Sequence, residues 1–320
     1  DNVMIGYQAG VSANHAGFDK NVGVGNYVFD GVVAYNSAGN TAVGYNAMSG
    51  AMVDAADYNT CIGQQAGLAI TSGAYNTLIG AETGSSITSG SRNIIIGRDA
   101  GASFDTEDDN IFIGNGSGAS GSLAVGTSLG IGTSALAALT SGVKNIAIGY
   151  QSGIAVTSGG ENVAVGYHAA KATTTGGFNT AIGTFALFTD TVGRRSTAIG
   201  TNALYSQNTG SLADVNNTAV GANAGYYNVT GTNNTWVGKA AGSGGDGDSN
   251  SNNTGIGSLS LTEITTGDNN VAIGSNAGVA LTASNDCIAI GYQALDGATS
   301  GNHSNIAIGK SSMGGSWSSA

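Results

Sequence analysis

The chain has 320 residues with 55 Gly, no Pro, 41% hydrophobic and only 9% charged residues, and a net charge of −11. Soluble chains average about 7% Gly, 5% Pro and 25% charged residues; here the Gly excess lacks the Gly-X-Y frame of collagen, and the regular Ile and Val argue against disorder. The nine Lys and Arg form no basic patch, which argues against nucleic acid and anionic membranes as partners, and no apolar stretch approaches the roughly 18 residues of a membrane span.

Taken in chain order, the sequence is one repeat from end to end. The unit is Asn-x-small-Ile/Val-Gly, and its closing glycines run Gly6, Gly25, Gly44, Gly63, Gly80, Gly97, Gly114, Gly132, Gly149, Gly166, Gly183, Gly200, Gly221, Gly238, Gly257, Gly274, Gly291 and Gly309. The commonest interval is 17 residues, with 18, 19 and one of 21. A Thr-Ser-Gly-like turn recurs between units, as at Thr71-Ser72-Gly73, Thr88-Ser89-Gly90 and Thr299-Ser300-Gly301. A unit this short, with two extended runs and two turns, is one rung of a β-solenoid, too short for a propeller blade or a helical hairpin. Dense Gly and β-branched residues exclude helix, and Pro would delete a ladder hydrogen bond wherever it fell. The expected fold is therefore all-β: a parallel β-solenoid, of the β-roll or β-helix kind, with about 18 coils over residues 1–313 and a cap or tail at 314–320.

Each slot of the unit carries an expectation. Alternation along a strand separates the small slot from the β-branched ones. The residue before the glycine reads as core: Ile62, Ile79, Ile96, Ile113, Ile148, Val165, Ile182, Ile199, Val220, Ile273, Ile290 and Ile308. The small slot, as at Ala147, Ala181 and Ala219, reads as a face for close approach of an identical chain. The opening residues Asn40, Asn59, Asn76, Asn93, Asn145, Asn162, Asn179, Asn217, Asn234 and Asn270 should stack as an amide ladder. Cys61 and Cys287 lie thirteen coils apart and should be unpaired, with Cys61 in the small slot. Asp1 enters already in register, which reads as an interior length of a longer fibre, with Trp317 covering the last coil.

Asn179-Thr180-Ala181-Ile182-Gly183 and Asn217-Thr218-Ala219-Val220-Gly221 resemble the head repeats of trimeric autotransporter adhesins. They are still more similar to the Asn-Thr-Ala-Ile-Gly-Tyr-x-Ala-Leu repeats of bacteriophage tail fibres. The resemblance spans about residues 2–313, although the adhesin coil is shorter. It implies a homotrimer, intertwined or packed through small side chains, in an attachment fibre. It also implies a virion or cell-surface location, outside the cell, and a host or surface receptor, for which a glycan is one candidate.

No motif points to chemistry. Gly116–Gly121 and Gly242–Gly247 match G-x-G-x-x-G, as a Gly-rich chain does by chance, and neither opens a helix. His15, His168 and His303 lie in different coils and read as surface residues. Two acidic turns could hold calcium, through Asp105, Asp108 and Asp109 or through Asp246 and Asp248; no other cofactor and no catalytic residue is expected. The aromatics outside the strand motif, Phe185, Phe188, Tyr205, Tyr226 and Tyr227, are the best ligand-contact candidates. The leading expectation is a structural and adhesive fibre segment without enzymatic activity. The alternatives are a subunit of a self-assembling extracellular filament and, more weakly, a glycan-degrading tailspike.

Overall fold

A computed structural model describes residues 1–13, 16–32, 36–53, 55–120, 127–297 and 303–315. His15, Gly121, the turn at 299–301, Trp317 and most of the 314–320 tail lie outside the described residues. Among the described residues there are twenty strands of three residues each and no helix, and the architecture is a parallel β-solenoid.

The chain divides into two compact units, Asp1–Glu161 and Asn162–Ala320. In the first, β1 (Val3–Ile5), β3 (Val22–Val24), β5 (Thr41–Val43), β6 (Thr60–Ile62), β7 (Thr77–Ile79), β8 (Ile94–Ile96), β9 (Ile111–Ile113), β10 (Leu129–Ile131) and β11 (Ile146–Ile148) form one parallel ladder. Two further strands, β2 (Gly17–Asp19) and β4 (Asn36–Ala38), pair in a small second sheet. In the second unit, β12 (Val163–Val165), β13 (Thr180–Ile182), β14 (Thr197–Ile199), β15 (Thr218–Val220), β16 (Thr235–Val237), β17 (Thr254–Ile256), β18 (Val271–Ile273), β19 (Ile288–Ile290) and β20 (Ile306–Ile308) do the same. Register is kept slot by slot: Thr180 pairs with Thr197, Ala181 with Ala198 and Ile182 with Ile199.

The second extended run expected in each coil is present as strand only at β2 and β4. Elsewhere the chain returns through residues in left-handed conformation. Gln65 has φ 56°, Gly67 59° and Tyr75 60°, and the next coil repeats this at Glu82, Gly84 and Arg92. A non-Gly residue there costs about 1–2 kcal/mol. Regular hydrogen bonds between coils offset that cost. The Gln65 N–H donates back to Tyr45 O (2.8 Å) and the Gly67 N–H forward to Thr83 O (3.0 Å). Alternating handedness therefore aims successive peptide groups at opposite neighbours, as in a strand, while the chain turns. The closing glycine is required for a different reason. At Gly44, φ is 138° and a Cβ would lie 2.3 Å from the Gly63 carbonyl oxygen, so only Gly lets the coils approach at this corner.

Inside each unit the Asn side chains are almost fully buried and hydrogen-bonded from coil to coil. Asn76 N–H and Nδ2 both donate to Asn59 Oδ1 (3.0 Å each), and Nδ2 also donates to Gly90 O (2.8 Å). Asn40, Asn59 and Asn93 repeat this pattern, Asn270 continues it in the second unit, and Asn234 keeps the backbone N–H bond to Asn217 Oδ1. Asn145 Nδ2 donates to Gly159 O, Asn162 Nδ2 to Gly176 O and Asn179 Nδ2 to Gly193 O. Where Ser196 replaces Asn, Gln207 fills in: its Oε1 accepts from Asn217 Nδ2 (3.0 Å), and its Nε2 donates to Ser196 Oγ and Asp190 Oδ2.

The core is inverted relative to the expectation from sequence. The middle residue of each strand points inward: Ala147, Ala181 and Ala219 are fully buried in their own coils, as are Leu78, Ile95, Phe112 and Trp236. They meet turn residues such as Ala66 and Ala135 and, seven residues after the glycine, Ile70, Ile87, Phe104 and Leu139. The residues expected in the core lie on the outer face instead. Ile62, Ile148, Ile182, Val220, Ile273 and Ile308 expose 36–66% of their surface, and Ile79, Ile96, Ile113, Val165, Ile199 and Ile290 are half-buried.

The physical reason is the thinness of the coil. The wall opposite the strand is so close that a Cβ on Gly67 would sit 2.7 Å from Cys61 Sγ and 3.1 Å from Leu78. Small residues suit that gap, and where one is large, glycines yield to it. Trp236 lies against Gly225, Gly242 and Gly255, and Phe112 against Gly118 and Gly130; a Cβ at each of these glycines would fall within 3 Å of the ring. Gly118 and Gly242, both in the G-x-G-x-x-G matches, thus serve packing. Cys61 and Cys287 are buried and form no disulfide, and the Cys287 thiol donates to Asn285 O (3.4 Å).

Candidate functional site

Two surfaces stand out. The first is the outer face of the strand ladder. It has two outward slots per strand, eighteen in each unit, and all are Ile, Val or Thr except Leu129. The face is uncharged, β-branched and regular, and among the described residues nothing in its own unit lies over it. Tyrosines following the glycines border it, with Tyr7, Tyr45, Tyr150, Tyr167 and Tyr292 each 45–62% exposed. Large contiguous apolar patches are as a rule interaction faces, which makes this face a candidate.

The second surface is a column of aromatic rings in the second unit. Phe188, Tyr205 and Tyr226 occupy the same place in successive coils and stack nearly parallel, with centroids 5.0 and 4.9 Å apart. Tyr227 meets Tyr226 edge to face at 4.5 Å, and Phe185 meets Phe188 in the same way at 5.3 Å. Lys171 stands over Phe188, 5.3 Å from its centroid. A cavity of about 360 Å³ beside Tyr226 and Tyr227 is also lined by Asn202, Asn223, Ala240 and Ser243. The sequence singled out the five aromatics; the flanking Asn202, Asn223 and Ser243 were missed. Their signal is positional, because each asparagine falls two residues after a closing glycine and Ser243 falls five after one, in the slot of Tyr226.

The remaining candidates are dispersed. His168 is half-buried and stacked on Tyr167 at 4.1 Å rather than lying free on the surface, while His303 accepts a hydrogen bond from the Asn285 N–H. Burial, aided by the nearby Lys171 charge, holds the His168 imidazole below its usual pKa. Asp108 and Asp109 both pair with Arg92, Asp105 accepts from the Thr88 hydroxyl, and Asp248 accepts from the Gly245 N–H. Asp246 is exposed. Among the described residues no three His, Cys, Asp or Glu side chains come together to hold a metal.

The acidic turns do have an electrostatic consequence. Burial pushes the Asp248 carboxyl up to about 6, and the Asp246 charge adds to this against the opposing Gly245 hydrogen bond. Its folded pKa thus lies above the ordinary 3.8. The stability it contributes is complete below that ordinary value and is lost as pH rises through about 6. Buried Asp190 is shifted the same way, whereas Asp109, held down by Arg92, acts oppositely. The measurement is therefore a difference. In urea melts between pH 4 and 7, Asp248→Asn should gain stability on wild type as pH rises; parallel curves would rule out this titration.

No protein-family model, curated protein or solved structure matches the chain.

Proposed function

We propose that the chain is a segment of a structural and adhesive surface fibre, outside the cell on a virion or cell surface, whose strand faces are covered by other copies of itself. The observation that carries this reading is the uncharged β-branched outer face, repeated strand after strand with no layer over it. A thin coil buries little apolar area alone, and association of identical faces adds what it lacks. The resemblance of the Asn-Thr-Ala-Ile-Gly units to tail-fibre and adhesin-head repeats favours a homotrimer and an attachment role. The contact face in this proposal is that of Ile148, Ile182 and Val220, not the alanines first considered.

Light scattering on the purified segment tests the proposal. A discrete particle of three chains is expected, converted to monomer by Ile182→Asp combined with Val220→Asp. A stable monomer from the unmodified chain would refute it. Mass that grows with concentration would support the filament reading instead.

A further inference from the structure

The aromatic column ends one ring short. Phe188, Tyr205 and Tyr226 stack at 5.0 and 4.9 Å, close to the roughly 4.8 Å step between coils. At one end Lys171 holds the same slot and closes the column over Phe188. At the other end the slot falls to Ser243, whose hydroxyl turns toward Thr262 O (3.3 Å). A serine cannot cover a phenol ring, so the outer side of Tyr226 opens into the cavity of about 360 Å³. Tyr227 forms a second wall, edge-on to Tyr226 and 36% exposed.

The polar lining narrows the chemistry. Asn202 Nδ2 donates to Asn223 Oδ1 at 3.0 Å. That bond leaves Asn202 Oδ1 as an acceptor and the Asn223 Nδ2 and second Asn202 Nδ2 N–H groups as donors for a ligand. None of the six lining residues is charged, which disfavours anions. A pyranose ring has the matching pattern. Its axial C–H bonds present a weakly positive apolar face to the negative face of a phenol ring, and its rim carries adjacent hydroxyls that both donate and accept. A planar hydrocarbon ring would use the aromatic face but leave the amide pair unused, whereas a nucleobase could use both, which is why a nucleoside is included as a control.

We propose that the vacant step beyond Tyr226 binds a neutral hexopyranose unit of a glycan, stacked on Tyr226, flanked by Tyr227 and held through its hydroxyls by Asn202 and Asn223. This deepens the surface-fibre reading, on which it rests, by naming a ligand class and a place for it.

The experiment is saturation-transfer NMR and calorimetry on the whole 320-residue chain with neutral gluco-, manno- and galacto-oligosaccharides, using indole and a free nucleoside as planar controls. Binding of at least one oligosaccharide is expected, with affinity reduced at least tenfold by Tyr226→Ala and by Asn223→Ala. Ser243→Phe is the decisive variant. It supplies the missing ring in a slot that already accepts rings in three coils, so it should fold, and it should abolish binding. The proposal is overturned if no oligosaccharide binds, if binding survives both Ser243→Phe and Tyr226→Ala, or if only the planar controls bind. Light scattering on the same samples separates the two readings: absent binding with an intact oligomer removes the glycan site alone, and a monomer removes the fibre.

Discussion

Ala181→Asp should fail to fold, whereas Ile182→Asp, one residue along, should fold and lose only its ability to associate. The two side chains leave the same strand in opposite directions. Ala181 is completely buried between the strand and its opposing turn, and Ile182 is 38% exposed. A carboxylate at Ala181 would be shut away from solvent, and an uncompensated buried charge costs about 3–5 kcal/mol, a large fraction of the stability of an ordinary domain. At Ile182 the carboxylate stays hydrated unless a second chain covers it. Far-ultraviolet circular dichroism with urea titration distinguishes these outcomes. Equal damage from both substitutions, or greater damage from Ile182→Asp, would overturn the inverted core.

Trp236→Ala should destabilise the second unit by about 3–5 kcal/mol, the usual range for removing a large buried aromatic. The expectation rests on how much of the surroundings has been cleared for this ring. Gly225, Gly242 and Gly255 each lie where a Cβ would collide with the indole, so these three positions carry no side chain that could refill the space. A change in urea midpoint equivalent to less than 1 kcal/mol would mean that the coil collapses onto the void, contrary to the rigid wall described here.

The periodicity, the strand positions and the glycine corners were all legible in the sequence, because each depends on a residue type with few alternatives. Only Gly adopts φ near 138° against a neighbouring carbonyl, and Gly44 and its equivalents mark every coil. The direction of the strand faces was not legible in the same way. Period-two alternation separates Ala181 from Ile182 but does not say which side is in, and the larger residue is the usual choice. What decided the matter was the distance to the opposite wall, a property of the left-handed residues Gln65, Tyr75 and their counterparts, whose side-chain types give no hint of that conformation. The aromatic site was half legible. Its rings could be picked out as extras to the motif, but its vacancy is a missing residue in a column, visible only once the coils are aligned.

The asparagine ladder also has a direction. Asn76 donates to Asn59, Asn93 to Asn76 and Asn110 to Asn93, always from the later coil to the earlier. In these Asn-to-Asn bonds each acceptor is therefore synthesised before its donor, and only the second Nδ2 bond, as from Asn76 to Gly90 O, waits for the next turn. A coil leaving the ribosome meets a template already in place and can dock at once, without waiting for distant sequence. A chain built this way can fold in the order in which it is made.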